Sequence, residues 1–336
     1  MKESKKSAMV EPLVSIIIIT RDRPFLLRYC LENVFAQSYT CKEVIVVDSS
    51  SIDDSEMVVS RYPEVKLVRL RGQHNNMPQA RNAGITVSSG EIIAFIDDDS
   101  MVQPGWLDAL VAAYADATIG AAGGRVIGMP QPYSEQFIGF PRLLVLPSGR
   151  VIAKNAGLVS DEPTEVDHLI GCNMSFRRRA LEEVGSFDAN YTLTNLREET
   201  DMCIRVKRAG WRILFVPAIA VLHFSARSLQ PYFLERPLVQ FSNGRNCTYF
   251  AVKNFGLTPQ TLAGQLLDAG KSCGRAAYFT GLFCLGAAAH LAGRVVGLSE
   301  GIKWRLHHHT PAVVGADLSR PPSPKHRYAQ ARTRTR

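Results

Sequence analysis

The sequence predicts an α/β protein in which a mostly parallel sheet is flanked by helices and followed by a C-terminal helical extension. Short β-branched runs alternate with segments of helical length over the first hundred or so residues. At 336 residues the chain can bury a large core, and 46% apolar with 21% charged residues is a globular composition.

The β-branched runs are Ser15–Ile19, Glu43–Val47, Val65–Leu70 and Glu91–Ile96, which read as buried parallel strands. Residues 24–36, 53–61 and 78–88 lie between them with helical length and pattern, so the region forms right-handed βαβ units. A further helix is expected at 105–116, with Pro104 at its first turn. Gly/Pro-rich text from Gly120 to Gly149 reads as a short strand followed by loops. Regular pattern returns with a strand at Gly171–Phe176, a short helix at 178–184, a longer helix at 198–209 closed by Gly210, and a strand from Arg212 to His223. Beyond Tyr232 the pattern is helical with basic punctuation, and the final stretch reads as disordered. These signals divide the chain into an α/β domain at 12–228, a helical extension at 229–310 and a basic tail at 311–336.

Charge is unevenly spread. The net charge is +8, yet residues 318–336 carry six Lys/Arg and no acid, which leaves 8 − 6 = 2 for the rest. The folded part shows no interleaving of basic and aromatic residues, so nucleic acid is not an expected partner. Seven cysteines are scattered without a C-x-x-C pair, which signals neither a disulfide framework nor a zinc site and suits a reducing cytosol. The N-terminus carries no secretion signal pattern, and the expected location is cytoplasmic.

Ala276 to Gly293 runs eighteen residues without Lys, Arg, Asp or Glu. Three readings stay open for it: a membrane span at the lower limit of length, an interfacial helix, or ordinary helix packing. The basic flanks and tail make peripheral attachment to an anionic membrane surface, at its cytoplasmic face, an expectation.

In an open α/β sheet, ligands bind beyond the carboxyl ends of the strands, and here those ends are acidic. The second strand runs into Asp48-Ser-Ser-Ser-Ile-Asp53, and the fourth into Asp97-Asp98-Asp99. Three adjacent aspartates raise one another's pKa unless a cation is bound. Asp97 and Asp99, two apart, would project to one side of an extended chain and suit Mg²⁺ or Mn²⁺ with diphosphate oxygens. A solvated acidic turn capping the next helix is the plainer alternative.

The chain resembles family 2 glycosyltransferases, which are inverting, nucleotide-sugar-dependent enzymes of the GT-A type with a Rossmann-like sheet. The matching text is Val14 to Thr20 with Arg21, Val46 to Asp53, Asn76 to Gly84 with its Ala-Arg-Asn segment, Phe95 to Asp99, Glu198 to Arg205, and Val216-Pro217 through His223. The resemblance implies that Asp48 binds the nucleobase, with Thr20 and Arg21 at the rim of that pocket. It places Arg81 near the nucleotide or its phosphates. Asp97 and Asp99 match an Asp-x-Asp motif, with Asp99 as metal ligand, Asp97 near ribose and metal, and Asp98 between them in the nucleotide site. His223 matches a histidine available to the metal or diphosphate. The cluster Glu198-Glu199-Thr200-Asp201 would supply the general base, Glu199 foremost, then Asp201 and Glu198. Two departures stand out: glutamate where the family often has aspartate at the base, and Asp-Ser-Ser-Ser where it often has Asp-Asp-Gly-Ser.

The expected reaction moves a sugar from a nucleoside-diphosphate donor to a hydroxyl acceptor on a glycan, glycolipid or other metabolite. A nucleotidyltransferase on a similar sheet is the competing enzyme, but the text Thr20-Arg-Asp-Arg-Pro24 lacks the glycine-rich loop that would hold a triphosphate. A non-catalytic, membrane-associated nucleotide-sugar-binding protein is the other alternative.

Overall fold

The computed structural model describes residues 11–51, 54–70, 76–128, 142–154, 161–224, 237–276 and 281–308. The first half alternates β1 (Val14–Thr20), α1 (Pro24–Phe35), β2 (Lys42–Asp48), α2 (Asp54–Val59), β3 (Lys66–Arg69), α3 (Met77–Val87), β4 (Ile92–Asp97), β5 (Ser100–Val102) and α4 (Trp106–Ala113). Then come β6 (Ile119–Gly128), the pair β7 (Arg142–Val145) and β8 (Val151–Lys154), β9 (Thr164–Glu165), β10 (Asn173–Arg177), α5 (Arg178–Val184), α6 (Glu198–Arg208) and β11 (Arg212–His223). Three helices follow: α7 (Pro237–Phe255), α8 (Pro259–Ala276) and α9 (Gly281–His308).

The main sheet runs β3-β2-β1-β4-β10-β6-β11-β5, with β9 beside β11. Strands β3, β2, β1 and β4 are mutually parallel, whereas β10 enters antiparallel between β4 and β6. Alternation along each strand feeds two cores. Ile16 and Ile18 pack with Leu27, Leu31, Trp106 and Leu110 on one face. Ile17 and Phe95 pack with Ala80, Leu181, Met202 and Val206 on the other. Burial on both faces explains why these strands read as continuous apolar runs.

The glycine-rich middle differs from expectation. Residues 119–128 form a ten-residue strand, not a short strand giving way to loops. The glycines are there because β11 crowds them: a Cβ on Gly124 would sit 2.1 Å from the Ile219 carbonyl oxygen and 2.2 Å from that of Val216. Those carbonyls belong to a register shift in β11 around Pro217, and only a side-chain-free residue tolerates that approach. The remainder of that text, residues 129–141, lies outside the described residues, as does the tail from 309. The apolar stretch 276–293 runs from the last residue of α8 into α9, with 277–280 outside the described residues. Among the described residues, no helix is long and apolar enough to cross a membrane.

Candidate active site

Sheet register assembles the site. Strands β1, β2 and β4 end level with one another, so that Thr20 pairs with Asp48 and Ile19 with Asp97. The chain then turns at Asp98 and Asp99 into β5, whose Ser100 pairs with His223 at the end of β11. Asp97 and Asp99 thus converge through a turn and a strand pairing, not through the extended alternation expected from their spacing. A cavity of about 550 Å³ opens beyond these ends, within the usual range for small-ligand sites. Of the residues singled out from the sequence, all but Asp48 and Asp201 line it.

Asp97, Asp99 and His223 each offer one ligand atom, and those atoms lie within 4.8 Å of one another. Oδ1 of Asp97 is buried and accepts no hydrogen bond, its cationic neighbour Arg81 standing 3.7 Å away. Nε2 of His223 is 3.2 Å from Oδ1 of Asp99. Two carboxylates and an imidazole, with one buried oxygen left unsatisfied, fit a divalent cation of the Mg²⁺ or Mn²⁺ type. Burial pushes the Asp97 carboxyl up, with Arg81 opposing and Asp99 adding to the rise. Burial likewise drives Asp98 to about 7, against the charge of Arg23. Asp99 goes the other way, because the hydrogen bond and charge of His223, with Arg23, outweigh its burial. Asp99 in turn holds His223 above the usual imidazole value, although burial alone would lower it.

Arg23 is a site residue that sequence reasoning passed over. Its Nη1 donates to Oδ1 of Asp98 at 3.1 Å and to Oδ2 of Asp99 at 3.0 Å, while Thr20 Oγ1 donates to the other Asp98 oxygen at 2.8 Å. Its position just past a strand end, before Pro24, was the available signal. Arg21 lines the same mouth beside Asp22, whose Oδ2 is 3.4 Å from Arg21 Nε. Asp48 does not reach the cavity. Its Oδ1 accepts the Ser50 amide at 2.8 Å, shaping its own turn, and Ser49 lines the cavity instead.

Arg81 lines the cavity and is also held by protein groups. It is fully buried, its Nη1 pairs with Glu198, and its Nη2 donates to the Gly171 carbonyl at 3.3 Å. The rings of Phe95 and Phe187 flank the guanidinium, at 5.8 and 5.7 Å. The guanidinium thus holds Glu198 and Asp97 in place at the cavity wall. With Glu198 committed to that pair, Glu199 is the half-buried carboxylate that opens onto the cavity. Burial raises its pKa, with its backbone amide, Arg197 and Arg81 pulling back and Asp97 pushing further. A carboxylate so raised accepts a proton readily.

Helix α6 begins at Glu198, after a loop in which Leu193, Asn195 and Arg197 all adopt left-handed backbone, with φ of 62°, 56° and 80°. Non-glycine residues held this way carry strain that surrounding structure must over-determine. Helix α7 does so. Ser242 Oγ accepts the Thr194 amide at 3.1 Å and donates to the Thr192 carbonyl at 3.1 Å, and Asn246 Nδ2 donates to the same carbonyl at 3.1 Å. Arg245 Nη1 adds a bond to the Asn190 carbonyl at 2.8 Å.

Asp201, the second candidate for the base, lies on the far side of α6. It is fully buried, and it accepts from Tyr191, Arg205, Lys253 and Asn254 at 3.2, 3.0, 2.9 and 2.8 Å. Although burial works against it, Lys253 and Arg205 hold its carboxyl down at about 2. It ties α6 to α7 and has no opening onto the cavity.

Residues 15–185, just over half of the chain, match the family model described as glycosyl transferase family 2. The chain is 27% identical over 234 residues to the O-antigen biosynthesis protein RfbC of Myxococcus xanthus, covering 65% of this chain and 18% of that one. It is 25% identical over 227 residues to the glucosyl-dolichyl phosphate glucuronosyltransferase of Haloferax volcanii, covering 62% and 68%. Among solved structures it is similar to the mannosyltransferase PcManGT of Pyrobaculum calidifontis in complex with GDP-Man and Mn²⁺, with TM-score 0.54, 18% identity and coverage of 89% and 81%. It is also similar to GalNAc-T7 with UDP, GalNAc and Mn²⁺, with TM-score 0.59, 16% identity and coverage of 90% and 59%. The mixed sheet, the acidic strand ends and the family match agree: the chain has a GT-A-type fold and belongs to glycosyl transferase family 2.

Proposed function

We propose that the chain transfers a glycosyl group from a nucleoside-diphosphate sugar to a hydroxyl acceptor, with inversion at the anomeric carbon. One observation carries this reading: a single cavity is lined both by the Asp97, Asp99 and His223 donor set and by the raised carboxylate of Glu199. The acceptor O–H gives its proton to Glu199 as its oxygen bonds to C1. The bond from C1 to the diphosphate oxygen breaks in the same step, and the electron pair leaves with the nucleoside diphosphate. Arg81 keeps Glu198 and Asp97 in place, and Arg23 orients Asp98 and Asp99. Asp97, Asp99 and His223 would hold Mg²⁺ or Mn²⁺, which when bound supplies Lewis-acid charge toward the diphosphate leaving group. The Mn²⁺ named with both solved neighbours supports that choice.

The acceptor belongs to the cell-envelope or polysaccharide class, free or lipid-linked. Relatives named for O-antigen biosynthesis and for a dolichyl-phosphate sugar support this. A cytoplasmic location with peripheral attachment to an anionic membrane surface completes the reading. The test is a panel of nucleotide sugars incubated with Mn²⁺ or Mg²⁺ and read as released nucleotide. Release of nucleoside diphosphate from one donor, lost in Asp99→Asn, is expected; release of pyrophosphate from a nucleoside triphosphate and a sugar phosphate would overturn it in favour of nucleotidyl transfer.

A further inference from the structure

Helices α8 and α9 are sorted inside out. On α8 the residues turned to solvent are Leu262, Leu266 and Leu267, at 46%, 73% and 58% exposure, whereas Thr261 is buried and Gln265 and Asp268 face inward. Asp268 pairs with Arg150 at 3.0 Å. On α9 the outward residues are Leu291, Val295, Val296 and Leu306, while His290 and Arg294 are buried. Arg294 donates to His290 Nε2 at 3.0 Å, to Thr248 Oγ1 at 3.4 Å and to Gln265 Oε1.

The cause is steric. Helices α7 and α9 approach so closely that a Cβ on Gly293 would lie 1.8 Å from the Phe241 carbonyl oxygen, and one on Gly297 would lie 2.1 Å from that of Arg245. Along 290–297 this inner seam of glycine and hydrogen-bonded polar groups leaves Leu291, Val295 and Val296 on the outer face, while Trp304 further along α9 packs inward. Apolar surface gathered in this way, and rimmed by charge, marks an interaction site.

We infer that the outward faces of α8 and α9 seat in the headgroup region of an anionic lipid leaflet. The charges around them select that occupant. Lys303, His307 and His308 are exposed at the end of α9, and residues 318–336 add six Lys/Arg with no acid. The acids nearby are turned inward, Asp268 onto Arg150 and Glu300 onto Arg245 at 2.7 Å. Apolar faces with basic flanks lie in the interface of anionic membranes. A second copy in a self-complementary contact would bring two equally basic ends together. The docking surface therefore sits on residues 262–267 and 291–306. This deepens the membrane component of the proposed function and rests on it for the location of the acceptor.

Flotation of the full chain with vesicles tests it, using phosphatidylcholine alone and phosphatidylcholine mixed with phosphatidylglycerol. The chain should float with the anionic vesicles only. Leu266→Glu with Val295→Glu, both exposed positions, should weaken that binding by more than about tenfold, and truncation after His308 should weaken it by a smaller factor. Both variants should keep wild-type donor hydrolysis in solution. Wild-type protein left unbound, or the double variant floating as well as wild type, would overturn the inference. So would a wild-type dimer in sedimentation velocity that the double variant converts to monomer, since that assigns the face to a second copy. Absence of donor hydrolysis in every variant would strike the glycosyl-transfer reading and leave the flotation result standing.

Discussion

The two walls of the cavity are built by different means. Thr20, the aspartates and His223 sit on strand ends whose register is fixed by seven pairs between β1 and β2 and six between β1 and β4. Glu198 and Glu199 follow a strained loop whose shape is imposed by side chains of α7, far along the chain. The aspartate wall, which the proposed function assigns to the donor, is therefore intrinsic to the sheet. The Glu199 wall, which the proposed function assigns to the acceptor, takes its shape from the C-terminal helices, so catalysis and donor binding should respond to different substitutions.

The largest separation should come from the walls themselves. Asp99→Asn should lower kcat/KM for transfer by about 10³-fold and remove its dependence on added cation, as steady-state rates with and without chelator will show. Glu199→Gln should cut kcat by about 10²- to 10⁴-fold while leaving donor affinity unchanged, a split read from single-turnover rates and donor titration.

The junction between the walls comes next. Lys253 donates to both Asp188 and Asp201, at 2.6 and 2.9 Å. Lys253→Met should strand the buried Asp201 and the half-buried Asp188 carboxylates and destabilise the fold by about 3–5 kcal/mol in denaturant titration. Asp201 is held at about 2 against an ordinary 3.8, so its stabilising effect is complete above the ordinary value and is lost as pH falls from 3.8 toward 2. Acid unfolding should accordingly remove on the order of 2 kcal/mol across that window. The smallest effect is expected from Ser242→Ala, which should lower kcat by about tenfold, leave donor affinity alone and cost only about 1 kcal/mol of stability.

The same contrast explains how much the chain disclosed before its structure was known. The donor wall follows from local pattern, since Ile92 to Ile96 is an unbroken apolar run and Asp97 comes directly after it. Helix bounds were legible for a similar reason: Gly210, at φ 91°, ends the turn after α6, and Pro24 opens α1. Family likeness also pointed to His223, whose ring nitrogen lies within 4.8 Å of the Asp97 and Asp99 donor atoms, a juxtaposition that spacing alone could not supply. What stayed hidden depends on contacts between distant segments. Asp201 reads as an acid at a helix start until Lys253 and Asn254 arrive from α7. The pairing of Arg81 with Glu198 likewise could not be read from its Ala-Arg-Asn context. The glycines of β6 read as loop until the bulged carbonyls of β11 pack against them.

Calorimetric titration of nucleoside diphosphate, with and without Mn²⁺, tests the central claim most directly. The account predicts cation-dependent binding by wild type and by Glu199→Gln, and none by Asp99→Asn. Equal affinity in all three proteins regardless of cation would contradict it.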